Sequence, residues 1–107
     1  MRFKLIIVFT EESRREIIVN AARAAGATVV NSARNIEPGQ KRSFFGSALE
    51  AQRDVLLFLV EQALSRQTLE YIAEVGEFES SPGTGIALQV DVEDAIGAAW
   101  QLKTQID

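Results

Sequence analysis

Two residue types are missing altogether: the 107 residues include no cysteine and no histidine. Without cysteine there is no disulfide framework, no thiolate metal site and no thiol nucleophile. Without histidine the commonest general base and the commonest transition-metal ligand are lost together, so any catalytic reading falls to carboxylates, lysines or the single tyrosine, Tyr71. We expect no enzyme, no catalytic residue and no bound metal. Membrane-length apolar runs are lacking too. Phe3 to Phe9 contains Lys4, is far shorter than a membrane span and is followed by no small-residue cleavage site, so it reads as the core strand of a cytoplasmic protein. Positive charge is also scarce. A net charge of -4 withholds the basic surface that supplies most nucleic-acid affinity, and no nucleic-acid partner is expected.

What is present suits one soluble domain over residues 1–107. Hydrophobic residues make up 47% and charged residues 24%, enough to build a core and too balanced for a disordered chain. Phe3 to Phe9 is rich in β-branched and aromatic residues and predicts a strand. A helix follows from about Glu11 to Ala25, with capping-box spacing at Ser13 and Glu16, an apolar face of Ile17, Ile18, Ala21, Ala22 and Ala25, and Gly26 as its stop. Thr28 to Ala33 predicts a second strand, and the unbroken apolar run Val55 to Val60 a third. Leu64, Leu69, Ile72 and Ala73 repeat at helical period behind Ser65, read as a cap, with Gly76 as the stop. Ile86, Leu88, Val90 and Val92 alternate with Ala87, Gln89 and Asp91, which predicts a fourth strand. A short helical turn is expected at Glu93 to Ile96. The order is strand-helix-strand twice, the ferredoxin-like βαββαβ sandwich of the α+β class, with strands one and three at the centre of the sheet.

The two central strands are apolar on both sides. Phe3, Leu5, Ile7 and Phe9 point one way and Ile6 and Val8 the other, and Val55 to Val60 is apolar throughout. Two helices cover only one face of such a sheet. The other face calls for a partner surface, which predicts a homo-oligomer. The alternative is that the C-terminal tail, 97–107, folds back over it with Trp100, Leu102 and Ile106.

Between strands two and three lies a polar segment, Arg34 to Asp54, longer than a compact domain ordinarily leaves without structure, and therefore a candidate for function. Within it Lys41, Arg42, Phe44 and Phe45 combine cations with aromatics, a composition that interfaces favour. Arg53 and Asp54 read as a local charge pair. Glu11, Glu12 and Glu16 are accounted for by the helix macrodipole, and any divalent-ion site in this chain would have to be oxygen-only; none is assigned.

Three features carry a resemblance: Lys4-Leu5-Ile6-Ile7, the long loop joining strands two and three, and Pro82-Gly83-Thr84-Gly85-Ile86-Ala87-Leu88-Gln89-Val90-Asp91-Val92-Glu93-Asp94-Ala95. Together they resemble the PII signalling proteins and their PII-like relatives over nearly the whole chain. The resemblance implies a cytoplasmic homotrimer that senses a small effector between subunits and acts on a membrane transporter or an enzyme, as in nitrogen regulation. It makes 34–54 the T-loop, with Lys41, Arg42, Phe44 and Phe45 meeting the partner. It implies effector binding by Thr28, Ser32, Ala33 and Arg34 near the loop base and by Gly83, Thr84 and Gly85, where glycines let backbone N–H groups approach an anion. No cofactor is required, and the effector it implies is an adenine nucleotide.

The departures narrow that expectation. The family's glycine turn reads G-D-G-K, whereas Ile86 stands here in the lysine's place. The arginines of its R-I-R-T-G-E segment have no counterpart in Ile96 to Gln101. A mono- or diphosphate therefore fits better than a triphosphate. No tyrosine lies in the loop to be uridylylated. Two rivals share the topology: a small oligomeric enzyme using carboxylate or tyrosine chemistry, and a CutA-like metal-tolerance trimer, weakened by the missing histidine and cysteine.

Overall fold

A computed structural model describes residues 2–36, 53–81, 83–94 and 96, with 30–36 and 53 described by backbone alone. Strand β1 (Phe3–Thr10) leads through a 3-10 turn (Glu12–Arg14) into helix α1 (Arg15–Ala24). Then come β2 (Thr28–Ile36), β3 (Arg53–Glu61), helix α2 (Gln62–Gly76) and β4 (Gly85–Val92). The sheet is antiparallel with order β2-β3-β1-β4. The two runs that are apolar on both sides thus occupy its centre, as expected of a ferredoxin-like α+β sandwich.

Register decides which residues meet the helices. Ile6 lies between Phe58 and Gln89, and Val8 between Leu56 and Ala87. Ile6, Val8, Leu56, Phe58 and Val60 are completely buried together with Ile18 and Ala22 of α1, Ala27, and Ile72 of α2. Each large side chain removed from water in this layer contributes about 1.5–3 kcal/mol. The opposite face is built from Phe3, Leu5, Ile7 and Phe9, with Val55, Leu57 and Leu59 on one side and Ile86, Leu88 and Val90 on the other. On β4 the large apolar residues all belong to this second face, and Ile86 and Val90 are 41% and 42% exposed. The helix-covered side of β4 carries only Ala87 and Gln89 between its ends.

Several boundaries differ from the sequence expectation. The backbone stays in the sheet through Ile36 and re-enters it at Arg53, so both ends of the Arg34–Asp54 segment are strand; ladder pairing to a neighbour overrides the loss of hydrophobic periodicity there. Residues 37–52, with Lys41, Arg42, Phe44 and Phe45, lie outside the described residues, as do 97–107. Ser13 does not cap α1. It sits inside the 3-10 turn, because the Glu11 N–H donates to the Thr84 carbonyl at 3.4 Å and the turn begins only after it. Ser65 likewise lies within the first turn of α2, its Oγ donating to the Gln62 carbonyl at 2.9 Å. That helix starts earlier because the Gln62 N–H is already bonded to the Arg2 carbonyl at 2.9 Å. Glu93 and Ile96 are bends, not a helical turn. Gly26, at φ +105, does close α1.

Lys4 and Asp91 face each other across β1 and β4 and form an ion pair. The lysine hydrogen bond and its charge hold the Asp91 carboxyl below the ordinary carboxylate value. A carboxylate whose pKa falls on folding stabilises the native state above its unfolded value and loses that contribution as pH drops through the folded one. Asp91→Asn should therefore flatten part of the acid limb of stability below about pH 4. Urea midpoints for both proteins between neutral and acid pH check this. Because the pair is exposed, the neutral-pH midpoints should nearly coincide.

Candidate functional site

One end of the sheet gathers the chain's most constrained polar groups. There Thr10 ends β1, lying between Asp54 at the start of β3 and Gly85 at the start of β4. Thr10 is completely buried and Asp54 is 1% exposed. Arg15, at the start of α1, directs Nη1 to Asp54 Oδ2 at 3.4 Å. Asp54 thus pairs with a helix residue, correcting the local pair expected with Arg53, whose side chain lies outside the described residues. The Oγ1 of Thr10 has no hydrogen-bond partner.

The turn between α2 and β4 closes against the same end. Helix α2 ends with the Glu77 N–H donating to the Glu74 carbonyl and the Phe78 N–H to the Ala73 carbonyl, both at 3.1 Å. This is a Schellman arrangement, but its left-handed residue is Glu77, at φ 57. Gly76, expected as the stop, is the last helical residue instead. A Cβ there would lie 2.5 Å from the Phe78 ring, so close packing, not φ, keeps it glycine. The Glu77 side chain is held by Arg14, Nη1 to Oε2 at 2.6 Å.

The predicted glycine turn then divides into three roles. Thr84 is buried, and its Oγ1 lies 3.0 Å from the carbonyls of both Glu77 and Ser81, so its hydroxyl is engaged in closing the turn. Gly85 is a packing glycine: a Cβ would fall 2.4 Å from the Phe9 carbonyl oxygen and 2.6 Å from the Phe78 ring. Gly83 differs from both. It is exposed, at φ +80, and a Cβ would meet nothing within 4 Å. Of the three, Gly83 alone combines a left-handed backbone with open space, the geometry that suits close approach of an anion.

The other predicted effector residues lie on β2. Ser32 and Ala33 are in register with Leu56 and Val55, and Arg34 follows within the strand toward the Asp54 end. Thr28 begins β2 opposite Leu59, near the sheet's other end, and is 6% exposed. The two groups occupy opposite edges of the sheet, separated by β3 and β1, which is about 14 Å at the usual strand spacing. A single chain does not bring them together. Among the described residues no group of three carboxylates could hold a metal, and Tyr71 is half-exposed on α2, away from this end.

Sequence reasoning missed Arg14, Arg15 and Glu77. The available signal was two adjacent arginines at a helix start, where the macrodipole disfavours cations; residues kept there despite that cost need partners elsewhere.

No family model and no curated protein sequence matches this chain. Solved structures do match. CPII from Thiomonas intermedia K12, bound to ADP, AMP and acetate, is 15% identical with a TM-score of 0.66, over 91% of this chain and 92% of that one. PII from Arabidopsis thaliana, bound to citrate, is 16% identical with a TM-score of 0.62, over 94% and 86%. A Bacillus cereus protein related to NIF3 is 15% identical with a TM-score of 0.63, over 87% of this chain but only 26% of that one. The chain therefore has the fold of PII and PII-like signalling proteins. The third match shows the same fold within a much longer chain. Among the described residues no helix is long and apolar enough to cross a membrane.

The division within the glycine turn is open to direct test. Gly85→Ala should cost about 3 kcal/mol, because its clash is with a backbone oxygen. Gly83→Ala should cost about 1 kcal/mol, the strain of a side chain in the left-handed region without a clash. Urea unfolding of the two variants measures both.

Proposed function

We propose that this chain is a PII-like regulatory protein: a cytoplasmic homotrimer that binds an adenine nucleotide between subunits and, through the 34–54 segment, controls a membrane transporter or an enzyme. The observation that carries the reading is the division of the candidate site. Its halves lie on opposite edges of one sheet, and that sheet keeps an apolar face without helices. Copies associating through that face would set the β2 edge of one beside the glycine turn of the next. Nucleotide phosphates would meet the Gly83 backbone of one subunit and Ser32, Ala33 and Arg34 of its neighbour. Thr28, about 15 Å along β2 from Ala33 at strand rise, would meet the other end of an extended ligand. Thr84 and Gly85 would shape the turn rather than touch the ligand.

CPII, with the same fold, was captured with ADP and AMP, which supports this effector class. With Ile86 where the family carries lysine, AMP or ADP should bind better than ATP. The mechanism requires two arrangements of the loop and unequal affinity of the nucleotide for them, since equal affinity shifts nothing. Binding would do the signalling, with Lys41, Arg42, Phe44 and Phe45 meeting the target.

Two measurements test the reading. Light scattering should report a trimer for the wild-type chain and a folded monomer for Val90→Glu, which buries a charge in the apolar face; a monomeric wild type would refute the assembly. Calorimetry on the trimer should show saturable binding of AMP or ADP, weakened about tenfold, or 1.4 kcal/mol, by Gly83→Ala. No heat with any adenine nucleotide would remove the sensing role.

A further inference from the structure

The junction between β1 and α1 touches both halves of the subunit's polar end. On one side the Glu11 N–H donates to the Thr84 carbonyl, and Arg14 holds Glu77 at 2.6 Å, so the whole 77–85 turn is tied to this junction. On the other side Arg15 holds the buried carboxylate of Asp54 at the start of β3. Thr10, in the same short segment, is in register with both Asp54 and Gly85. The two arginines are consecutive, and the link between them is the end of a 3-10 turn, whose hydrogen bonds are weaker than an α-helix's and whose geometry readily adjusts.

We propose that the segment Thr10–Arg15 is a coupling device that makes the glycine turn and the first residues of β3 change state together, with Arg14 and Arg15 as its positioning residues. The two-state element is the Arg14 guanidinium. It sits between two carboxylates, Glu77 at 2.6 Å and Glu11 at 3.8 Å, and its buried Nε lacks a hydrogen-bond partner, so part of its donor capacity remains to be used in an alternative pose. With Arg14 on Glu77 the turn is held against the junction. A transfer of Arg14 to Glu11 releases the turn and shifts the backbone that carries Arg15. Arg15 then moves relative to Asp54, which is too buried to follow or to be left without a countercharge at low cost. The coupling is therefore carried by discrete ion-pair arrangements rather than by proximity alone.

The consequence for regulation rests on the proposed nucleotide reading. In an assembly where each cleft takes its glycine turn from one copy and its β2–β3 end from another, this intrasubunit link would connect neighbouring clefts, so that filling one alters the next.

The link itself can be tested without a nucleotide, by amide hydrogen exchange on the full chain. Glu77→Gln leaves the backbone conformation and side-chain size intact and should speed exchange at Thr84 and Gly85 by about three- to fivefold, the scale of one partly exposed ion pair. The same substitution should speed exchange across Asp54 to Leu57 by a similar factor. Made on an Arg15→Gln background, Glu77→Gln should still loosen the turn yet add nothing at 54–57, and Arg15→Lys should restore part of the transmission. The proposal is overturned if the Glu77→Gln effect stays in the turn, or if it reaches 54–57 equally without Arg15. Failure of nucleotide binding would leave this result untouched, and additive exchange effects would leave nucleotide binding untouched, so the two readings fail separately.

Discussion

Two helices cannot cover both faces of a four-stranded sheet, and the central strands of this one are apolar on both faces. Most of what the structure suggests about function follows from that mismatch. The helix-covered face is complete: Ile6, Val8, Leu56, Phe58 and Val60 are fully sealed by Ile18, Ala22, Ala27 and Ile72. The other face holds Leu5, Ile7, Leu57 and Leu88 half-buried and leaves Ile86 and Val90 more than 40% exposed. Strand β4 makes the point most sharply, because its small and polar residues, Ala87 and Gln89, are the ones turned to the helices. A strand selected only to complete the visible core would have the opposite pattern. Its hydrophobic stabilisation is realised when something covers the second face.

The same arrangement makes the candidate site a property of an assembly. Strands β2 and β4 are the edges of the sheet, and edges carry unpaired backbone groups that invite another chain. The glycine turn opens one edge, and the residues at the end of β2 close the other. What one subunit does contain is the connection between them: β1, flanked through β3 and β4 by both edges, ends at Thr10 and passes directly into Arg14 and Arg15. A buried carboxylate such as Asp54 is costly unless paired, and its partner comes from the helix start. The ion pairs there therefore fix the relative placement of turn, helix and strand more than they add to stability.

The hydrophobic pattern made the architecture legible. Continuous apolar runs marked β1 and β3 as central, alternation marked β4, and the excess over what two helices can bury pointed to a second covered face. Local polar signals were less informative, for a physical reason: a serine or glycine at a plausible spacing has several ways to be satisfied. Ser13 and Ser65 had cap spacing, but long-range backbone bonds from Glu11 and Gln62 moved the helix starts. Gly76 and Gly85 read as a stop and a cradle, whereas contacts with Phe78 and the Phe9 carbonyl explain them. Nor could spacing show that Asp54 pairs with Arg15, a residue 39 positions away. Strand ends at Ile36 and Arg53 depended on pairing between two segments that lack periodicity of their own.

Ile86 joins the assembly argument to the chemistry of the site. Next to the glycine turn, the family resemblance leads one to expect a lysine directed at phosphate. Here the position is in register with Phe9, on the helix-free face. An isoleucine there enlarges the apolar surface and removes a cation in one step. The face and the effector site are consequently not independent: what strengthens association weakens the pull on a highly charged ligand. On the proposed reading, the remaining attraction for phosphate comes from backbone N–H groups at Gly83 and from Arg34 on another copy's edge. Backbone dipoles carry only partial charge, so such a cleft balances one or two phosphates more readily than three. Nucleotide preference and oligomer stability would then be set partly by the same side chain.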